Sequence, residues 1–89
     1  MFDKAKQLWE LKRQADEIKK ELAGEMLEID RGEVRVRISA DMKVHELTYP
    51  KEVSEKDLVE AINKGIEEAQ KVAAKKMQGQ LGALQDLLK

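Results

Sequence analysis

The chain has 89 residues with no cysteine and one histidine, and its 17 basic and 18 acidic side chains leave a net charge of −1. A chain of this length forms one small domain, which buries only about 60% of the surface that its unfolded form exposes. The missing cysteines exclude disulfides and thiolate metal sites. Small domains without disulfides or structural metal ions often gain stability from a second subunit. We therefore expect a homodimer that needs no metal and no cofactor.

The apolar residues never form a run near the ~18 residues that a membrane-spanning helix requires. The N-terminal sequence MFDKAKQLWELK lacks the apolar core of a signal peptide. We therefore expect no membrane partner and a cytoplasmic location.

Residues 3–23 predict a helix, because helix-forming residues dominate and the first glycine is Gly24, a suitable stop. Asp3 is a suitable N-cap. The apolar positions are spaced alternately three and four residues apart, as in a heptad repeat, and comprise Leu8, Leu11, Ala15, Ile18 and Leu22. We expect Trp9 to lie beside this seam. The helix either packs on its own sheet or is shared with a second subunit.

The middle of the chain predicts three short strands, at residues 25–30, 33–40 and 43–49. Apolar and polar residues alternate along the second, which is typical of a strand with one buried and one wet face. The short connections favour an antiparallel meander, with Arg31 and Gly32 as the first turn. Val44 and Leu47 lie out of phase, which predicts a bulge near His45.

The residues that usually carry catalysis do not form a convincing set. His45 is the only histidine, and no second histidine or cysteine can assist it, so we expect it to be a surface or sheet residue. The five glycines are dispersed and form no phosphate-binding loop. We therefore expect no enzymatic activity.

Pro50 ends the third strand because it has no N–H to donate, and Ser54 caps a second helix predicted from Glu55 to Gln78, about 36 Å long. Gly79 and Gly82 then loosen the C-terminus, so we expect residues 79–89 to form a flexible or docking tail that carries leucines. The residues predicted to form the core or a dimer interface are Leu8, Leu11 and Ile18 in the first helix and Ile62, Ile66 and Ala69 in the second.

The segment VRVRISADMKVHELTYPKEVSEKDLVEAINKGIEEAQKVAAKKM resembles the YbaB/EbfC family of nucleoid-associated DNA-binding proteins. It contains a strand of alternating Val and Ile, then a strand that closes on Leu47 and Tyr49 before Pro50. The helix DLVEAINKGIEEAQK, with Asn63, is similar to the family's D/E-L-V-x-A-x-N-x-A helix. The resemblance covers residues 1–78 and implies that residues 1–89 form a single domain.

The resemblance implies an α+β protomer of order α-β-β-β-α that forms a homodimer. It also implies binding to double-stranded DNA with little sequence preference, and association with the nucleoid. The alternative is a non-enzymatic protein–protein interaction module that uses the long helix and the leucine-bearing tail.

A slightly acidic chain can bind DNA where its basic groups cluster, since such binding depends on phosphate contacts. The candidate DNA-binding residues are Lys12, Arg13, Lys19 and Lys20 on the first helix, Arg35 and Arg37 on the wet face of the sheet, and Lys71, Lys75 and Lys76 on the second helix. Each could instead be a solubilising surface charge. For the two sheet arginines the alternative is a cross-strand ion pair with Glu28 or Asp30.

Overall fold

The computed structural model describes residues 2–87, and the side chains of residues 3–82. In chain order the elements are helix α1 (Phe2–Gly24), strands β1 (Met26–Arg31), β2 (Val34–Ser39) and β3 (Val44–Thr48), and helix α2 (Glu55–Leu87). The strands form one antiparallel sheet in the order β1-β2-β3. The predicted α+β fold, with its α-β-β-β-α order and meander, is confirmed.

The central strand β2 supplies most of the core. Val34, Val36 and Ile38 are buried on one face, while Arg35 and Arg37 point to the exposed face. This is the burial pattern that period-2 alternation produces when only one face of a sheet is covered. Partly buried side chains from the neighbouring elements complete the core, namely Leu27, Ile29, Leu47, Val53, Leu58, Ile62 and Ile66.

Helix α2 approaches β2 closely because small residues line its contact face. Ala61, Gly65 and Ala69 recur every four residues and are all buried, so they lie along one side of the helix. A Cβ atom built on Gly65 would lie 3.3 Å from Cγ1 of Val36. The predicted core position Ala69 is therefore confirmed, and Ile62 and Ile66 pack at the margin of the same core.

The first turn lies one residue later in the chain than predicted. Arg31 pairs with Val34, so the first turn consists of Gly32 and Glu33 rather than Arg31 and Gly32. Gly32 has φ 60°, which glycine adopts without steric cost. The predicted bulge is present, since Arg37 pairs with Glu46 and Ile38 with Val44, which leaves His45 as the extra residue.

Helix α2 is nine residues longer than predicted, ending at Leu87 rather than Gln78. It begins as expected, with the Ser54 Oγ accepting a hydrogen bond from the Asp57 N–H at 3.1 Å. Gly79 and Gly82 do not end the helix, because a glycine costs only about 1 kcal/mol relative to alanine and strong helix formers surround both. The predicted tail of residues 79–89 is thus helical as far as Leu87. The side chains of its last three leucines, Leu84, Leu87 and Leu88, lie outside the described side chains.

The protomer is elongated, with principal extents of 63 × 18 × 16 Å and a Cα radius of gyration of 17.7 Å, against about 12 Å for a compact chain of this length. Much of α1 is uncovered, since Gln14, Ile18 and Leu22 are the partly buried side chains among residues 3–23. Leu8 is 68% exposed and Leu11 is 43% exposed. These two residues, predicted to form the core or a dimer interface, therefore lie outside the core of the protomer.

We expect Gly65→Leu to lower the free energy of unfolding by about 2 kcal/mol or more, because the new side chain would meet Val36 and push α2 from the sheet. Gly82→Leu is the matched control, since nothing lies within 4 Å of a Cβ at that position. There the better helix propensity of leucine should leave stability unchanged or slightly higher. Urea denaturation of both variants checks this, and equal effects would contradict the close-approach argument.

Candidate nucleic-acid interface

Five of the nine candidate DNA-binding side chains lie within 4.0 Å of a carboxylate. The pairs are Arg13–Glu10 at 3.4 Å, Arg35–Asp30 at 2.8 Å, Arg37–Glu46 at 3.8 Å, Lys71–Glu68 at 3.4 Å and Lys76–Glu25 at 2.7 Å. A cation that is already paired must exchange its partner before it can bind a phosphate. The structure therefore separates the candidates into a paired and an unpaired set.

On the wet face of the sheet, the arginines form ion pairs with acidic side chains of the same face. Arg35 donates to both carboxylate oxygens of Asp30, at 2.8 and 3.4 Å, as the cross-strand alternative anticipated. This hydrogen bonding lowers the pKa of Asp30 and raises the pKa of Arg35. Arg37 contacts Glu46 of β3 rather than Glu28 of β1. Both arginines are thus held by acids on adjacent strands.

The paired lysines of α2 have different partners. Lys76 Nζ lies 2.7 Å from Glu25 and 3.9 Å from Glu21, so it ties α2 to the junction of α1 and β1. The hydrogen bond with Glu25 raises the pKa of Lys76. Lys71 contacts Glu68 one turn away, and the pKa of Glu68 is lowered first by its hydrogen bond with Lys64 and then by Lys71.

The unpaired set comprises Lys12, Lys19 and Lys20 on α1 and Lys75 on α2. All four are exposed, and among the described side chains none has a carboxylate within 4.0 Å. Three of the four belong to the helix that the fold leaves most uncovered. Helix α1 therefore concentrates the cations that are available to an external anion.

Trp9 lies among these cations, on what we term the outer face of α1: Trp9, Lys12, Arg13, Asp16 and Lys20. With about 3.6 residues per turn, Trp9 is half a turn out of phase with Ile18, which is on the partly buried side. Trp9 is 64% exposed, and the guanidinium of Arg13 lies 5.8 Å from its ring centroid. The expectation that Trp9 lies beside the apolar seam is wrong, and counting residues around the helix would have shown this.

A second exposed region is apolar. Helix α2 packs mainly on β1 and β2, which leaves β3 partly uncovered although Val44 and Leu47 pair with core residues of β2. The uncovered region, which we term the open apolar surface, consists of Val44, Leu47, Val59, Ile62 and Ile66. Val44 is 44% exposed and Val59 is 50% exposed.

The position of this surface follows from helix geometry. Val59, Ile62 and Ile66 share one flank of α2 at about 3.6 residues per turn. Glu60 lies off that flank and contacts Arg31 of the edge strand β1 at 3.5 Å. The apolar flank therefore faces the opposite edge of the sheet, where β3 lies. Sequence reasoning assigned Ile62 and Ile66 to the core or a dimer interface but missed Val44, Leu47 and Val59, because their exposure depends on which strands α2 covers.

The polar cluster around His45 does not resemble a catalytic site. The buried hydroxyl of Ser39 donates to Asp41, and Nε2 of His45 lies 2.9 Å from Ser39 Oγ. The hydrogen bond from Ser39 lowers the pKa of Asp41. The carboxylate thus contacts the serine instead of orienting the histidine, and Ser39 is inaccessible to a substrate. The cluster closes the β2–β3 turn, in which Met42 has φ 67°.

The part of the chain that the structure describes lacks two further classes of site. Within it, no group of three or more His, Asp or Glu side chains is placed to hold a metal ion. Neither helix, over its described residues, has a stretch that is long and apolar enough to cross a lipid bilayer.

Comparison with known proteins gave no relative: no family model matches the chain, and no curated protein or solved structure matches it either. The family resemblance of the sequence therefore stays a prediction.

We expect Ser39→Ala to lower the free energy of unfolding by about 1–2 kcal/mol, because it removes hydrogen bonds to Asp41 and His45 at a buried position. Thr48→Ala, at an exposed position of the neighbouring strand, should have a smaller effect. Thermal and urea unfolding check this, and equal losses in both variants would argue against the cluster's role in closing the turn.

Proposed function

We propose that this chain is a non-enzymatic DNA-binding protein that binds double-stranded DNA as a homodimer, with little sequence specificity and mainly through phosphate contacts. The observation that carries the proposal is that three candidate lysines on α1, Lys12, Lys19 and Lys20, are exposed with no carboxylate within 4.0 Å among the described side chains. Neutralising phosphates with such side chains releases counterions from the DNA, which is the main source of non-specific affinity. The resemblance to nucleoid-associated proteins supports the same function and a cytoplasmic, nucleoid-associated location.

A homodimer is supported by the surface that one protomer leaves exposed. Its accessible surface is 7084 Å², whereas a compact monomer of 10.2 kDa would have about 5,300 Å². The excess exceeds the roughly 800 Å² that each partner buries in a standard interface. A second copy that covers the open apolar surface would remove half-exposed Val44 and Val59 from water and complete the core over β3.

A dimer also doubles the unpaired cations. Three lysines on each α1 give six in the dimer, which is enough for moderate affinity despite the net charge of −1. A protein that makes about six phosphate contacts should lose about 10³-fold in affinity between 50 and 200 mM salt. Contacts of this kind carry no sequence information, which accounts for the proposed low specificity.

The DNA surface can be tested with two variants of equal charge. Lys12→Ala/Lys20→Ala removes two unpaired cations from α1, and we expect the slope of log affinity against log salt to become shallower by about 3 to 4 per dimer. Lys51→Ala/Lys56→Ala is the control, because these lysines flank residues 52–54, which adjoin the β1–β2 turn at the end of the sheet away from α1. Fluorescence anisotropy with a random duplex of about 30 base pairs measures both.

If the two double variants have equal effects, α1 is not part of the DNA-binding surface. No binding of the wild-type protein to the duplex, even at 50 mM salt, would contradict the proposed function itself.

The dimer surface can be tested on the two faces of one strand. Val44→Asp places a charge on the open apolar surface, so we expect a folded monomer with the chain mass of 10.2 kDa. Thr48→Asp places the same charge on β3 at a residue that pairs with Arg35 of the exposed face, and it should leave a dimer of twice that mass. Light scattering coupled to size exclusion, with circular dichroism to confirm folding, decides between them; a dimer in both variants would contradict the assigned surface.

A second candidate function is a protein–protein interaction module. It is favoured by the five cations that are already paired and by Met77 and Leu81, which are exposed on the distal part of α2. The duplex titration separates the two candidates: an intact dimer that does not bind DNA at low salt would favour the interaction module.

A further inference from the structure

The outer face of α1 presents the single tryptophan of the chain to solvent. Trp9, Lys12, Arg13 and Asp16 line a shallow concavity of about 170 Å³. A tryptophan contributes most to folding when its large apolar area is buried, yet this ring remains 64% exposed. The ring therefore contributes little to the stability of the protomer and is available to an external ligand.

The proposed association of two protomers does not need this ring. Trp9 lies opposite Gln14, Ile18 and Leu22, the side of α1 that packs against the rest of the protomer. The open apolar surface is formed by β3 and α2, not by the outer face of α1. The indole therefore stays accessible when α1 packs on its own protomer and when two protomers associate through the open apolar surface.

The charges beside the ring define the chemistry of its ligand. The guanidinium of Arg13 lies over one face of the ring, 5.8 Å from its centroid, and 3.4 Å from Glu10, so the indole offers its other face to a ligand. Lys12 is exposed with no carboxylate within 4.0 Å among the described side chains, and Lys20 lies about 16 Å farther along the helix from Trp9. An accessible aromatic face beside cations suits a ligand with both a flat ring and a phosphate.

We propose that Trp9 is a stacking platform for an unpaired nucleobase, with Lys12 binding an adjacent phosphate, so that the outer face of α1 also binds single-stranded DNA. This inference rests on the proposed DNA-binding function. Bases in an intact duplex are stacked on one another and do not offer their faces to the indole, whereas those of a single strand do. Proteins that bind single strands without sequence preference combine aromatic stacking with basic side chains in this way.

The test uses the full chain, a labelled thymine oligonucleotide of about 30 nucleotides, and a duplex of the same length. We expect Trp9→Ala to weaken single-strand binding about tenfold or more while changing duplex affinity much less. Trp9→Phe keeps an aromatic face and should restore most of the loss. Lys12→Ala/Lys20→Ala is the charge control, and it should weaken the binding of both nucleic acids.

A second readout requires no variant. Because Trp9 is the only tryptophan, the intrinsic emission of the wild-type protein reports on this site alone. We expect the oligonucleotide to quench this emission strongly and the duplex to quench it weakly at matched saturation. This measurement decides the question if Trp9→Ala does not fold, as judged by circular dichroism.

The outcomes separate this inference from the proposed function. Selective loss of single-strand binding with rescue by Trp9→Phe, or selective quenching, supports the stacking site. The stacking site is overturned if single-strand binding is unchanged by Trp9→Ala and the oligonucleotide does not quench the emission of Trp9. The proposed function stays intact in that case as long as duplex binding depends on the α1 lysines. Absence of binding to either nucleic acid overturns both.

Discussion

The close approach of α2 to β2 is the constraint on which the rest of the structure depends. It requires the row Ala61, Gly65 and Ala69, because a larger side chain at Gly65 would meet Val36. Contact at this distance excludes water from the apolar face of β2 and creates the only extensive core in the described part of the protomer. A helix seated on β1 and β2, however, is not wide enough to cover β3 as well.

The open apolar surface follows from that placement. Val44 and Leu47 pair with core residues of β2, yet α2 covers them only in part. Small domains are marginal in stability because they bury a low fraction of their surface. An uncovered part of the core is therefore costly to this chain in particular, and covering it with a second copy would both stabilise the fold and place two copies of α1 in one particle.

The distribution of paired charges gives the elements different roles. The arginines of the sheet are held by nearby acids, and so are three lysines of α2, namely Lys64, Lys71 and Lys76. These pairs contribute mainly local order, because ion pairs at exposed positions stabilise a fold little. The unpaired lysines are concentrated on α1, which the fold leaves largely uncovered. An anionic polymer would meet those side chains first, and Trp9 lies among them. The proposed DNA surface and the proposed stacking site thus share one helix face.

The local pattern of the sequence determined the elements of this fold, because alternation, capping and turn residues act over a few positions. The alternating residues of β2, the Ser54 cap and the bulge at His45 were all predicted for that reason. The end of α2 was not predicted, because the low helix propensity of Gly79 and Gly82 is outweighed by the strong helix formers beside them. The tertiary structure alone decided which cations are paired: Arg37 reaches Glu46 through the register of β3, and Lys76 reaches Glu25 only because α2 passes the end of α1. It also decided which apolar residues stay uncovered, since that depends on where a helix lies across a sheet and not on the order of residues along either one.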